Sequence, residues 1–77
     1  MKLFKSKIDW ELDGMYIIRE ECRFGHYKPI KVKVTHLFEK CVEFTILPIP
    51  LIDEPKKLLM ETSEFGVWGT WHLIEQF

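Results

Sequence analysis

Two cysteines and two histidines are the residues whose types could together support metal chemistry. They occur as Cys22-x3-His26 and His36-x4-Cys41, and two thiolates with two imidazoles would suit tetrahedral zinc. Neither spacing is a common zinc spacing. The strand pattern described below also puts Cys22 and Cys41 at opposite ends of one strand, about 25–30 Å apart at ~3.3 Å per residue. We therefore predict no metal site and no cofactor. The same separation excludes a disulfide, whose Cα atoms must lie within ~7 Å.

A carboxylate and an imidazole form the second chemical candidate. The predicted strand pairing places Glu20 on the core face, opposite Val34 and diagonal to His36. Such a pair could act as a general acid and base or as a pH switch. We favour a structural pair, because buried polar groups usually satisfy one another. Since the pairing brings no nucleophile near them, we predict that the chain is not an enzyme.

The relative positions of these candidate residues follow from a predicted β-hairpin over residues 30–47. Apolar and polar side chains alternate in 30–38 and again in 42–47, which is the period of a strand with one face against a core. A two-residue loop at 39–40 would put the apolar sides of the two strands on opposite faces, so we predict a three-residue loop at 39–41. The predicted pairs are Phe38 with Val42, His36 with Phe44, and Val34 with Ile46.

Two further strands are predicted before the hairpin. Residues 8–12 alternate and meet Asp13-Gly14, a dipeptide that favours a tight hairpin turn; a short helix capped by Ser6 is the alternative. Residues 15–24 form the second strand, followed by a loop at 25–29. The predicted pairs with the next strand are Phe24 with Ile30, Cys22 with Val32, Ile18 with His36, and Tyr16 with Phe38.

The C-terminal half is less regular. Alternating prolines in 48–55 enforce an extended backbone that cannot extend a ladder. Residues 54–65 fit a short amphipathic helix or a strand, and both remain open. Residues 66–77 are predicted to form a last strand, apolar on both faces, in which Gly69 indicates a bulge or a bend.

The strand count predicts an all-β, mainly antiparallel fold in a single domain over 1–77. A small curled sheet, or a five-stranded SH3-like or OB-like barrel, would suit this pattern, with at most one short helix near 54–65. With 77 residues, 47% of them hydrophobic, the chain can bury ~60–65% of its surface in one core. The chain begins at Met1 and we take it as a complete small reading frame.

Four cations on the outer face of the predicted sheet suggest a nucleic-acid interface. Together with an aromatic loop residue they could follow a phosphate backbone and stack bases. A solvated face is favoured instead, because the formal net charge is −1 and gives no general attraction to nucleic acid. The residues of this alternative are Arg19, Arg23, Lys31, Lys33 and Tyr27.

Surplus apolar residues favour a protein partner. A domain this small can hardly bury every large apolar side chain, and Trp is among the commonest interface anchors. We predict a non-enzymatic module that docks on a partner protein as an accessory, regulatory or inhibitory protein, or self-associates. From size alone, a phage or mobile-element origin is included. The predicted contact residues are Trp10, Trp68, Trp71, Ile49, Leu51 and Ile52.

Localisation is predicted from what the sequence does not contain. No window has the ~18–20 apolar residues of a membrane span, and the N-terminus has no apolar run of secretory length. Two cysteines are too few for a disulfide scaffold and fit a reducing compartment. We therefore expect a cytoplasmic protein with no membrane contact.

Overall fold

An antiparallel β-sheet accounts for most of the structure, as the sequence predicts. The computed structural model describes residues 8–22, 24–65 and 69–77. The strands are β1 (Met15–Cys22), β2 (Gly25–His26), β3 (Ile30–Leu37), β4 (Cys41–Ile46), β5 (Lys57–Glu61) and β6 (Trp71–Gln76). The all-β fold class and the small sheet are therefore confirmed.

The sheet is open. β1 pairs with β3 on one side and with β6 on the other, β4 follows β3, and β5 is outermost, while β2 pairs with the far end of β1. Phe65, beyond β5, makes a single parallel bridge with Trp71. Across the described residues no ladder joins β5 to β6, so the sheet does not close into the predicted barrel alternative.

One face of the sheet carries the core. Because successive side chains of a strand point to opposite faces, the alternating apolar residues of neighbouring strands meet on one side. Met60 and Phe65 extend this layer at the β5 edge, and Trp10 packs across it. The strand residues that are almost completely buried are Tyr16, Ile18, Val32, Val34, Val42 and Phe44.

The register of β1 against β3 differs from the prediction. Tyr16 lies opposite Val32, and Ile18 lies opposite Ile30, so the predicted pairing of Ile18 with His36 is wrong by six residues. The cause is local: the chain turns back after Cys22 and forms a tight hairpin through β2, which uses part of the predicted loop at 25–29. Even residues still face even residues, so the apolar faces coincide as predicted.

The β3–β4 hairpin also differs from the prediction. His36 lies opposite Glu43, and the Phe38 N–H donates to the carbonyl of Cys41 at 2.9 Å. This is the register of the two-residue loop, so the three-residue loop at 39–41 is wrong. A bulge at Thr35 then shifts the register by one residue and restores Val34 to the apolar side. The bulge therefore removes the parity conflict that argued against the shorter loop.

The segment before β1 is irregular, so the strand predicted over 8–12 is wrong. Residues 12–13 form a turn, in which Asp13 adopts a φ of 66° and the Gly14 N–H donates to the carbonyl of Glu11 at 2.9 Å. Asp is among the few residues that tolerate this left-handed conformation. The turn lets the preceding segment leave the sheet and cross the core face, where it delivers Trp10.

Residues 57–61 form a strand, which decides between the two alternatives left open for 54–65. Leu58 and Met60 point toward the core with period two, while a helix would place Lys56 and Lys57 at its unfavourable positive end. Helical structure in this segment is limited to a single 3₁₀ turn, Thr62–Glu64. Gly69 lies in a bend before β6, as predicted, whereas residues 66–68 of the predicted last strand lie outside the described residues.

In the part of the chain that the structure describes, no helix has the length and apolar character needed to cross a membrane.

Candidate functional site

The connection between β4 and β5, residues 47–56, is the proline loop. Its two ends are fixed by backbone hydrogen bonds: the Leu47 N–H donates to the Lys31 carbonyl and the Ile46 N–H to the Lys56 carbonyl, each at 2.8 Å. Between them stand prolines 48, 50 and 55, which lack a donor and restrict φ, so this segment cannot continue the ladder. The proline loop is thus a stiff projection from the sheet.

The tip of the proline loop is apolar and open to solvent. Leu51 and Ile52 have relative exposures of 101% and 96%, and Ile49 is half exposed at 48%. A shallow depression of about 360 Å³ lies at the base of the loop. It is lined by Ile46, Leu47, Pro48, Pro50, Asp53 and Lys56. Adjacent exposed aliphatic groups beside an apolar depression are the features of an interaction surface.

Trp10 belongs to the core. Only 9% of it is exposed, and its ring centroid lies 4.8 Å from Tyr16, 4.9 Å from Phe65 and 5.1 Å from Phe44, each in an edge-on arrangement. Such packing is typical of stable aromatic clusters. The placement of Trp10 among exposed contact residues is therefore wrong.

Of the other two predicted contact tryptophans, the structure describes Trp71 and not Trp68. Trp71 begins β6, is half-buried, and lies 6.2 Å from Phe65 between ring centroids, so it closes the rim of the core. Trp68 lies outside the described residues. Of the six predicted contact residues, the structure thus brings three together, and all three belong to the proline loop: Ile49, Leu51 and Ile52.

The observed β1–β3 register changes the cross-strand neighbours of the cations in the nucleic-acid alternative. Lys31 lies opposite Ile17 and Lys33 opposite Met15, so each lysine has an apolar residue as its cross-strand neighbour. Arg23, which the predicted register put opposite Lys31, lies outside the described residues. Among the described residues, no cation lies directly opposite either lysine in the β1–β3 ladder.

Each remaining cation has its own surroundings. Lys33 Nζ lies 3.8 Å from Asp13 Oδ1, and Lys31 Nζ lies 5.6 Å from the centre of the Phe77 ring. Arg19 of β1 lies opposite His72 of β6, and the Nε of Arg19 is buried. Tyr27 is exposed in the segment before β3. Of these contacts, the one with Asp13 offsets part of the charge that would bind a phosphate backbone.

A polar cluster at the Thr35 bulge was missed by sequence reasoning. Glu43 Oε2 accepts hydrogen bonds from the Thr35 hydroxyl and from His36 Nδ1, each at 2.7 Å. The hydrogen bond from Thr35, followed by that from His36, lowers the pKa of Glu43. His36 is exposed and stacks on Phe38. The rejected two-residue loop already paired His36 with Glu43, so a signal for this cluster existed.

The predicted pair between Glu20 and His36 is wrong. Glu20 lies opposite Trp71 of β6, whereas the bulge turns His36 to the surface beside Glu43. In the observed cluster the hydroxyl of Thr35 donates to the Glu43 carboxylate, and because the pKa of Glu43 is lowered, this carboxylate is a weak base for activating the hydroxyl as a nucleophile. The cluster is best described as a surface hydrogen-bond network.

The topology of the sheet places the two cysteines of the metal candidate at opposite ends. Cys22 ends β1 and pairs with Gly25, beyond the Ile30 end of β3, whereas Cys41 begins β4 at the opposite end. Within the ranges that the structure covers, no group of three or more His, Cys, Asp or Glu side chains could hold a metal ion.

Comparison of the chain with protein-family models, with curated proteins and with solved structures gave no match.

Proposed function

We propose that the chain is a non-enzymatic protein-binding module that docks on a partner protein through the proline loop. The observation that carries the proposal is the full exposure of Leu51 and Ile52 at the loop tip. Burying a Leu or Ile side chain contributes roughly 1.5–3 kcal/mol of favourable free energy. In the folded chain both side chains stay in water, so this free energy is available for binding. A partner with an apolar cleft would gain it.

The stiffness of the loop supports the same proposal. Prolines 48, 50 and 55 reduce the number of conformations open to the free chain, so less conformational entropy is lost on binding. The depression between Pro48 and Lys56 would accept a side chain from the partner, while Leu51 and Ile52 would insert into an apolar cleft of the partner. Asp53 and Lys56 at its rim would orient the complex.

The proposed biological role is that of an accessory, regulatory or inhibitory protein in the cytoplasm. A small domain with an exposed apolar loop can block or bridge another protein without chemistry of its own. The regulatory role and a phage or mobile-element origin rest on chain size alone.

The test compares capture by three proteins from a lysate of the native host. L51S/I52S removes the apolar tip, and F24S is the matched control, because Phe24 is an equally exposed apolar residue at the β1–β2 turn. We expect a partner that wild type and F24S retain and that L51S/I52S binds at least ~10-fold more weakly, the factor that 1.4 kcal/mol produces. Titration calorimetry with the purified partner then measures that factor.

Two outcomes would contradict the proposal. Equal capture by wild type and L51S/I52S would show that the tip makes no energetic contact, and loss of capture with F24S alone would move the interface to the β1–β2 turn. Nuclease treatment of the lysate tests the alternative of nucleic-acid binding: capture that disappears with nuclease, and that weakens steeply with salt, would support that alternative instead.

A further inference from the structure

The outer edge of β5 is an unpaired strand edge. In the described residues β5 pairs with β4 alone. The Ile46 N–H donates to Lys56 and the Thr62 N–H to Lys40, so the even residues of β5 direct their backbone groups toward β4. Because this direction alternates along an antiparallel strand, Lys57, Leu59 and Glu61 direct their N–H and C=O groups outward.

This edge has few of the features that normally prevent strand addition. β5 contains no proline, and Leu59 at its centre is 64% exposed. Natural proteins usually protect such edges, since an open edge pairs readily with another strand. The charges at its two ends are of opposite sign, Lys57 before Leu59 and Glu61 after it, at equal spacing. The edge is therefore self-complementary when it is turned end over end.

We propose that β5 pairs antiparallel with β5 of a second copy of the chain, about a twofold axis through Leu59. Leu59 then faces its own counterpart, and Lys57 of each copy faces Glu61 of the other. Glu64 adds a second carboxylate near this charge, because its Oε2 accepts the Glu61 N–H at 3.2 Å. Opposite charges directly across a strand pair stabilise it.

Backbone hydrogen bonding fits the same register. Each copy can donate the N–H of Leu59 to the Leu59 carbonyl of the other and the N–H of Lys57 to the carbonyl of Glu61. The remaining outward donor, the Glu61 N–H, is bonded to the Glu64 carboxylate in the single copy, and on pairing the Lys57 carbonyl of the other copy takes the place of that carboxylate. Pairing thus leaves no edge donor of β5 without an acceptor.

Other registers are unfavourable. A parallel in-register pair would set Lys57 against Lys57 and Glu61 against Glu61, and like charges across a pair are destabilising. A shift of two residues would place Leu59 opposite a charged residue and leave the other charges unpaired. A second copy in the stated register is therefore the occupant that the edge fits best.

The association is expected to be weak. A ladder of five residues per copy buries much less than the ~800 Å² per partner of a standard interface, so we expect a dissociation constant of about 10⁻⁴ M. The proposal does not depend on the proline loop, which binds or fails to bind a partner whether or not β5 pairs.

The test uses charge reversal and sedimentation equilibrium up to about 1 mM protein, roughly tenfold above the expected constant. K57E sets a glutamate against Glu61, and E61K sets a lysine against Lys57. We expect each single variant to dimerise at least ~10-fold more weakly than wild type. Their equimolar mixture should form heterodimers with the wild-type constant, because each then carries the charge that the other needs. The double variant K57E/E61K should also dimerise.

Heterodimer formation doubles as a folding control, since an unfolded variant has no strand edge to offer. A wild-type protein that stays monomeric at about 1 mM, tenfold above the expected constant, would overturn the proposal. So would a dimer whose constant is unchanged in K57E and E61K. L51S/I52S separates the two proposals: it should keep the dimer, and a dimer lost with L51S/I52S but kept with K57E would assign association to the proline loop.

Discussion

Replacement of Trp10 by alanine tests the placement of this residue in the core. Trp10 is 9% exposed, and its ring contacts those of Tyr16, Phe44 and Phe65 edge-on at 4.8–5.1 Å. Removal of a buried Trp side chain costs about 3–5 kcal/mol. A domain of this length has a total stability of about 4–12 kcal/mol at 0.05–0.15 kcal/mol per residue. W10A is therefore expected to remove roughly half of the stability of the fold.

Two further variants make the comparison specific. W10F keeps an aromatic ring among the same three neighbours and loses no hydrogen bond, because Trp10 Nε1 has none within the described structure; we expect a loss of about 1 kcal/mol from the smaller volume. F24A changes an exposed residue and is expected to stay within about 0.5 kcal/mol of wild type. The expected order of stability is F24A, then W10F, then W10A.

Urea unfolding followed by far-ultraviolet circular dichroism measures these differences, since this signal does not depend on which tryptophan is removed. With a slope of about 1 kcal/mol per molar urea, the W10A midpoint should fall by several molar, or the variant should be largely unfolded without urea. A loss below about 1 kcal/mol would place Trp10 at the surface, as the sequence suggested, and would refute the described core.

Two other perturbations follow from single contacts. A Cβ at Gly69 would overlap the carbonyl oxygen and carbon of Glu64. G69A should therefore lower stability by about 1–3 kcal/mol in thermal unfolding, and an unchanged melting temperature would contradict the close approach. Glu43 has a lowered pKa because Thr35 and His36 hydrogen-bond to its charged form. Its contribution should be complete above its ordinary value of 4.5 and lost as the pH falls through the lowered folded value. If the stability of wild type and of E43Q changes in parallel from neutral pH down to about pH 2–3, this linkage is excluded.

The side that faces the core could be predicted from the sequence for β1, for β3 as far as Val34, and for β4. Tyr16 and Ile18 of β1, Val32 and Val34 of β3, and Phe44 of β4 are all buried as their alternation indicates. This succeeds because the direction of a side chain along a strand is a local property with a period of two residues. It needs no knowledge of which strand lies next to which.

Strand register could not be obtained in the same way. A shift of six residues between β1 and β3 keeps even residues opposite even residues, so the apolar pattern is satisfied equally by Ile18 against His36 and by Ile18 against Ile30. The choice is made by the hairpin through β2, where Glu21 pairs with His26. The register also changes the cross-strand neighbour of Lys31, which is predicted to be Arg23 and is observed to be Ile17.

The burial of Trp10 has a similar origin. The residues around Trp10 alternate like those of a strand, but the turn at Asp13 takes the segment out of the sheet. The rings that enclose it come from Phe44 and Phe65, far along the chain. Burial that depends on contacts between distant residues is not visible in a local pattern. For this reason the surplus of tryptophan predicts an exposed Trp10, although the side chain is buried.

The bulge at Thr35 shows how one residue decides the chemistry of a site. A regular ladder through the two-residue loop would have turned the apolar side of β4 away from that of β3, and a three-residue loop would have buried His36 opposite Phe44 without a polar partner in the pair. The bulge avoids both costs: Val34 reaches Phe44, and His36 reaches the carboxylate of Glu43. An unpartnered buried imidazole is expensive, whereas an added residue in a strand is commonly tolerated. A polar residue at a core position beside a short loop is therefore better interpreted as a sign of a bulge than as a buried catalytic pair.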